Sequence, residues 1–313
     1  MLDNELRNQE PPQTWDNTLR TTLKSCPRKL YWFLRGYDYS ADVKPPYFVW
    51  GAAFQEALAS WYNIGEQTVA GTTPHMERAG LALSTALEYW DSQGIMGAKK
   101  DTRENLEDKF FRYIEEYPEE DWLFTPDSME VGWQWPLPGT EFFLGGALDG
   151  KVTWPGLGGL VLENKTAGVY LSDSYISQWE YSSQVRQYGW YGSQLMHDFH
   201  GVLVNMINKQ TPGPRSNWTT PEFARTVVKI TPWQIEEFEE DINQDIQLFL
   251  RYWNDWYWPK TCDALSCVGG VGKAPCLYRY VCLSDQPYTE EEPSRFAGIV
   301  ERESAWAPWA RGE

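Results

Sequence analysis

Two short apolar runs that each close on charge constrain this chain most. Leu144-Gly-Gly-Ala-Leu-Asp149-Gly150 and Leu160-Val-Leu-Glu163-Asn-Lys165-Thr166 are separated by the glycine-rich turn Pro155-Gly-Leu-Gly-Gly159. Both read as strands. Residues two apart in a strand share a face, so Glu163 and Lys165 point one way and Asn164 the other. Asp149 and Glu163 are hard oxygen donors suited to Mg²⁺ or Mn²⁺. A lysine beside them can orient an attacking water or stabilise charge growing on a phosphate. Each piece also has an ordinary reading: Asp-Gly is a common turn, and Glu-x-Lys on an exposed face is often a solvated pair.

Helical patterning surrounds this centre. A helix is expected over about 17–37, able to break at Pro27. A second follows Pro45-Pro46 over about 48–63, and two more occupy 76–117 with a connector near 94–100. Strands are expected near 129–135, 141–149 and 159–165 as an antiparallel set, then a helix over about 173–196. The run Gly201-Val-Leu-Val-Asn-Met-Ile207 reads as a buried strand, 209–220 as a Pro/Asn/Thr loop and 225–230 as a further strand. Thr231-Pro232 opens a long helix to about Trp258, with Thr as cap and Pro at the first helical position. The acidic, Pro-containing tail after Cys282 reads as extended. These patterns divide the chain into a flexible arm (1–14), an N-terminal helical region (15–125), a mixed core (126–258) and a cysteine-rich segment with acidic tail (259–313).

The chain has five cysteines, four of them between Cys262 and Cys282. Its first residues lack a basic region followed by an apolar run, which argues against secretion and a disulfide framework and for a cytoplasmic protein. Clustered thiols in a Gly-rich loop suit an iron–sulfur cluster or Zn²⁺. Spacing alone separates neither these two nor metal-free thiols: zinc sites favour a close Cys-x₂₋₄-Cys pair, and only Cys262 with Cys267 comes near it.

The net charge of −17 opposes a nucleic-acid partner at first sight. Basic residues nevertheless concentrate at Arg20, Lys24, Arg28, Lys29 and Arg35, and the first three would form a helical stripe. Acidic runs at 236–241 and 290–292 read as solvated surface. The 18 tryptophans are mostly expected in the core, with aromatic runs such as Trp253–Trp258 able to stack on single-stranded bases. No apolar run of about 18 residues exists to cross a membrane. A P-loop and a Gly-x-Ser-x-Gly nucleophile turn are both absent.

In order along the chain, six features resemble the PD-(D/E)xK nuclease superfamily, specifically its RecB-like branch with a C-terminal iron–sulfur cluster, which includes phage, CRISPR-associated and AddB-type exonucleases. They are Cys26-Pro-Arg-Lys-Leu-Tyr31, Gly51-Ala-Ala-Phe-Gln55-Glu-Ala-Leu58, Asp149, Glu163-Asn-Lys165, Gln184-Val-Arg-Gln-Tyr188 and the trio Cys267, Cys276 and Cys282. The resemblance implies a restriction-endonuclease-like α/β fold, a mixed sheet flanked by helices, with both terminal segments tied by the cysteines. It implies Asp149, Glu163, Lys165, Gln184 and Tyr188 as catalytic residues. It also implies Mg²⁺ or Mn²⁺ held by Asp149 and Glu163, with Gln55 and the Asn164 backbone carbonyl as further ligands. Cys26, Cys267, Cys276 and Cys282 would hold a 4Fe–4S cluster, with Zn²⁺ as the alternative and Cys262 as a spare. The implied activity is DNA exonuclease action on single-stranded or frayed ends in recombination, repair or phage DNA metabolism, in bacterial or phage-host cytoplasm, with room for a helicase or recombination partner. The chain departs from the family at Gln55, where a histidine is usual. An amide carbonyl suits Mg²⁺ but is a poorer Mn²⁺ ligand than imidazole. The departure leaves open a catalytically lapsed DNA-binding or assembly module. Gln187 and Tyr191 repeat the Gln-x-x-x-Tyr spacing as an alternative register.

Overall fold

Helical and strand periodicities alternate along the chain, and the computed structural model realises them as a mixed α/β protein. It describes residues 7–40, 44–67, 75–124, 129–210, 220–261, 263–269 and 274–310, with 64–67 described by backbone alone. Cys262 and residues 211–219 of the expected loop lie outside the described residues. The elements are β1 (Thr14–Trp15), α1 (Asn17–Ser25), α2 (Pro27–Leu34), β2 (Tyr37–Tyr39), α3 (Pro46–Gln67), α4 (His75–Ser92), α5 (Arg103–Glu116), β3 (Leu123–Phe124), β4 (Val131–Pro136), β5 (Phe143–Leu148) and β6 (Gly150–Trp154). There follow β7 (Gly158–Ala167), α6 (Asp173–Ser177), α7 (Ser183–Leu195), β8 (Phe199–Asn208), β9 (Phe223–Val228), α8 (Pro232–Asp255), α9 (Ala264–Cys267) and β10 (Ile299–Glu301). The chain divides into two compact units: Met1–Lys44, Gln134–Gly146 and Glu236–Pro308 form one, and Pro45–Trp133, Ala147–Ile235 and Trp309–Glu313 the other. Among the described residues, no helix is long and apolar enough to cross a membrane.

The second unit is built on a five-stranded sheet of order β3-β6-β7-β8-β9. β7 runs antiparallel to β6 and parallel to β8, with Glu163 opposite Val204 and Lys165 opposite Met206. Residues 201–208 are buried without a break, as expected of a strand covered on both faces. On α3, Val49, Trp50, Ala53, Phe54, Ala57 and Leu58 recur at helical spacing and join Leu160, Leu162, Leu203 and Ile207 in one core cluster. Close approach of helix to strand depends on glycine: a Cβ at Gly51 would stand 3.1 Å from Thr166 Oγ1 of β7.

The antiparallel trio expected at 129–135, 141–149 and 159–165 is corrected. β5 lies in a separate sheet of order β1-β5-β4, and the antiparallel partner of β7 is β6. That strand is only five residues long, lodged between Asp-Gly and Pro-Gly signals that read as turn. The expected helix over 173–196 is also interrupted. Ser182 adopts an extended conformation and caps a fresh helix by accepting from the Val185 N–H, with a 3₁₀ turn over Gln178–Tyr181 before it.

In the first unit, α1 and α2 are separated at Cys26, whose extended backbone (φ −166°) places Pro27 at the start of the second helix. Aromatic rings fill this core. Trp15 meets Phe249 edge-on at 4.7 Å, and Tyr31 contacts Trp32, Trp258 and Tyr288 at 4.7, 5.9 and 5.2 Å. Three expectations change here. Arg20 and Arg28 do not form an exposed basic stripe: Arg20 is buried against Asp245 at 2.6 Å, while Arg28 donates to the Trp258 carbonyl at 2.6 Å and lies on the Tyr288 ring. Lys24 pairs with Asp245 as well, at 3.0 Å. Trp253, Trp256 and Trp258 are buried, so they offer no stacking surface for bases. The tail is not extended throughout, since 3₁₀ turns form at Pro293–Arg295 and Pro308–Ala310 and Glu291 is buried, and β10 is paired with β2.

Candidate metal-binding active site

β7 carries the centre of the site within the second unit. Glu163 and Lys165 lie on one face of the strand and form an ion pair, with Glu163 buried and Lys165 partly exposed. Lys165 Nζ donates to Gln184 Oε1 at 2.8 Å, Gln184 Nε2 donates to the Tyr188 hydroxyl at 3.0 Å, and that hydroxyl donates to the Ala147 carbonyl at 2.7 Å. One turn of α7 therefore ties the lysine to the segment that leads into Asp149. In the alternative register Tyr191 instead stacks on Trp133 at 4.0 Å. Residues Gly189 and Gly192 let α7 lie this close, because a Cβ at either would fall 2.5 Å from Ile230 or 2.4 Å from Phe199.

Asp149 occupies the bend between β5 and β6, and its Oδ2 accepts the Asn164 backbone N–H at 2.5 Å. Burial, then the charges of Glu163 and Glu130, push its carboxyl well above the usual range, against the pull of Lys165 and the Asn164 N–H. For Lys165, burial lowers the ammonium, but the Glu163 carboxylate with help from Asp149 outweighs it, so the group stays charged. Burial and the same two carboxylates hold the Tyr188 hydroxyl protonated, as a donor.

Gln55 is placed on the other face of β7, with Asn164. Its Oε1 accepts from Asn164 Nδ2 at 2.9 Å and its Nε2 donates to Glu130 Oε1 at 2.6 Å. Glu130 is a residue that sequence patterning gave no reason to single out. It has a left-handed backbone (φ 53°), and its N–H donates to the Asp149 carbonyl at 3.4 Å. Trp179 was likewise unmarked: Lys165 Nζ stands 5.5 Å from the centre of its ring. Tyr175 meets Trp179 edge-on at 6.0 Å and lines an open groove of about 500 Å³ with Val169, Tyr170, Ser172, Ser174 and Gln178.

The donor set fits a hard divalent ion. Glu163 Oε2 is buried and has no hydrogen-bond partner among the described residues, which is costly unless a cation or water meets it. Two like charges crowd Asp149, and a divalent ion would relieve that repulsion. Among the described residues no group of three or more His, Cys, Asp or Glu stands ready to hold a metal ion. An ion here would therefore draw on two carboxylates, supplemented by amide or backbone oxygens.

In the first unit, Cys26, Cys267, Cys276 and Cys282 are free, half-buried thiols. The Cys276 N–H donates to the Cys267 carbonyl at 3.0 Å. Burial first, then the charges of Cys26 and Cys267 raise the Cys276 thiol. Burial raises Cys282 to about 11, with Arg28 opposing and Cys276 and Cys26 reinforcing the shift. Cys276 thus senses Cys26 and Cys267, and Cys282 senses Cys276 and Cys26, while among the described residues no three of these thiols stand grouped to hold a metal ion.

No family model matches the chain, and no curated protein does. Solved structures that align with it include SSO0001, at 11% identity and a TM-score of 0.32 over 79% of this chain and 82% of that one. A Eubacterium rectale protein provisionally described as an exonuclease aligns at 12% identity and a TM-score of 0.36, over 67% of this chain and 83% of that one. Similarity this slight carries no argument about the chain's fold or activity.

Proposed function

We propose that the chain is a metal-dependent DNA nuclease that hydrolyses phosphodiester bonds, acting as an exonuclease on single-stranded or frayed ends. The observation that carries this reading is the buried Glu163 Oε2, without a hydrogen-bond partner among the described residues, beside Asp149 and a lysine held charged by its neighbours. Asp149 and Glu163 would hold Mg²⁺ or Mn²⁺, with the Asn164 carbonyl as a supplementary oxygen, while Gln55 is held on the other face of β7 by Asn164 and Glu130. When bound, the ion would polarise a phosphoryl oxygen and acidify water. Lys165 orients the attacking water and balances charge on the phosphoryl oxygens, and Gln184 fixes where its ammonium points. Water adds to phosphorus and loses a proton to solvent as the opposite P–O bond breaks, and the departing oxygen takes a proton from solvent and leaves as the alcohol. Trp179 and the groove beside Tyr175 give the strand a wall to lie against.

Cys26, Cys267, Cys276 and Cys282 would hold a 4Fe–4S cluster, with Zn²⁺ as the alternative occupant. Binding would tie α1–α2 to the C-terminal segment, so metal affinity would become folding free energy. Iron and zinc content with the visible absorption of anaerobically purified protein distinguishes the two.

A lapsed nuclease that only binds DNA is the second reading. The engagement of Gln55 by Asn164 and Glu130 favours it, as does the net charge of −17. The deciding experiment is Mg²⁺- and Mn²⁺-dependent cleavage of end-labelled single- and double-stranded DNA, with Lys165→Ala beside the wild type. Cleavage that the substitution abolishes supports the nuclease. No cleavage by wild type with either metal sinks it and leaves the binding module.

A further inference from the structure

An open groove without a charged side chain lies one ring away from Lys165. Val169, Tyr170, Ser172, Ser174, Tyr175 and Gln178 line its volume of about 500 Å³. All six belong to the connection from β7 to α7, which also carries Trp179. Tyr175 meets Trp179 edge-on at 6.0 Å, and Lys165 Nζ stands 5.5 Å from the centre of the Trp179 ring. At the β7 end, Lys100 donates to the carbonyl of Gly168, the residue before Val169. The short polar side chains bond within the segment itself. Ser172 Oγ accepts the Tyr175 N–H at 3.3 Å and meets Ser174 Oγ at 3.0 Å, while Gln178 Nε2 donates to the Tyr175 carbonyl at 2.9 Å. Val169 and Tyr170 stay exposed. What the groove offers a ligand is therefore chiefly ring and methyl surface.

We infer that the groove holds an unpaired nucleobase by stacking, and that this selects single strands over duplex. The inference rests on reading the neighbouring site as a nuclease. A phosphate needs cations, and the six lining residues supply none, whereas an uncharged, planar base matches them. The strand's phosphates would instead meet the ammoniums of Lys165 and Lys100, which reach the segment from β7 and from the loop before α5. With its short polar groups engaged, the groove meets ring faces rather than base edges, so any of the bases would serve. A base inside a duplex has both faces covered by its neighbours and must unpair and unstack before it can enter. Stacking also needs little positive charge, which makes strand binding compatible with a net charge of −17.

The test is binding of a short oligothymidylate to the full chain in EDTA over a salt series, beside an abasic oligomer of equal length and a duplex. Tyr175→Ala is expected to weaken the oligothymidylate about fivefold to a hundredfold, and the abasic oligomer less than about twofold. Tyr175→Phe keeps the ring and should bind as wild type does. Tyr170→Ala lies outside α6 and should show the same base-dependent loss, which keeps the test decisive if Tyr175→Ala disturbs that helix. Neither alanine should alter the slope of log K against log salt, whereas Lys100→Ala should make it shallower by about 0.7. Equal losses on both oligomers would overturn the inference, showing that the groove touches the sugar–phosphate chain. Duplex bound as tightly as single strand, no loss from either alanine, or no binding of the oligothymidylate would overturn it as well. Binding that follows the expected pattern without cleavage under Mg²⁺ or Mn²⁺ leaves the inference standing and fails the nuclease reading. Cleavage indifferent to both tyrosines and to missing bases does the reverse.

Discussion

Lys165 and Glu163, two residues apart on one face of β7, form an ion pair whose acid is sealed from water: the Glu163 side chain is 2% exposed and that of Lys165 23%. Removing the lysine alone strands a carboxylate in the interior, which costs about 3–5 kcal/mol. Lys165→Ala should therefore lower metal-free stability by that order, while Glu163→Gln/Lys165→Ala recovers most of the loss. Urea unfolding in EDTA measures both. Neither variant should cleave DNA. A Lys165→Ala protein as stable as wild type would mean that Glu163 finds water or takes a proton at no great cost.

Gly189 sets two effects against each other. Alanine is a better helix former than glycine by about 1 kcal/mol. Yet its Cβ would stand 2.5 Å from Ile230 Cγ1 and 3.1 Å from Ile230 Cβ, atoms close to the main chain that cannot swing away. Overpacking of this kind costs about 1–3 kcal/mol, so Gly189→Ala should destabilise. It should also slow cleavage, because α7 carries Gln184 and Tyr188. Gly189→Ala/Ile230→Ala should regain part of the stability. A stabilised single variant would show that propensity wins and that α7 has room.

The mixed α/β class and the position of β7 were legible because alternation and buried runs are local signals. The adjacency of Glu163, Lys165, Gln184 and Tyr188 was foreshadowed by motif order, since each sits on a strand or helix whose period could be read, whereas Gln55 meets the Asn164 side chain on the other face of β7. Glu130 and Asn205 were not legible. One is a lone acid at a bend and the other a polar residue inside an apolar strand, and only three-dimensional pairing gives them partners. The charges on α1 and α2 misled for the opposite reason. Arg20 and Arg28 have helical spacing whichever face looks outward, and their acceptors, Asp245 and the Trp258 carbonyl, lie more than two hundred residues away. Ser182 was overlooked because a capping serine and a mid-helix serine look alike in a polar stretch.

Lys109 offers a second buried charge, remote from the chemistry. Its side chain is fully buried, paired with Glu222, and it donates to the Gln210 carbonyl at 2.8 Å. Arg112 reaches the same carboxylate from outside. Glu222→Ala removes the counter-charge of a buried ammonium and should cost about 3–5 kcal/mol. Arg112→Ala removes a half-exposed guanidinium while leaving Glu222 paired with Lys109, and should cost about 1 kcal/mol or less. Chemical denaturation of the two variants side by side checks the ratio. Equal effects would mean that Lys109 is hydrated in solution.

Tyr113 makes the alkaline limit of stability testable. Its hydroxyl meets Tyr62 at 2.9 Å, Asn205 at 2.9 Å and Arg225 at 2.7 Å. Burial pushes it up to about 12, with Arg225 pulling down and Glu120 pushing up. The folded state thus keeps this proton more tightly than the unfolded chain, where a tyrosine titrates near 10. The resulting contribution is fully present below about pH 10 and disappears as pH rises through about 12, a total of about 2–3 kcal/mol. Tyr62 shifts in the same direction, so the wild type carries more than one such slope. Tyr113→Phe cannot titrate and should fall less steeply than wild type over that window, even if it starts lower for want of three hydrogen bonds. Denaturant midpoints at a series of alkaline pH values read the difference. Parallel curves would show that Tyr113 ionises only after the structure has opened.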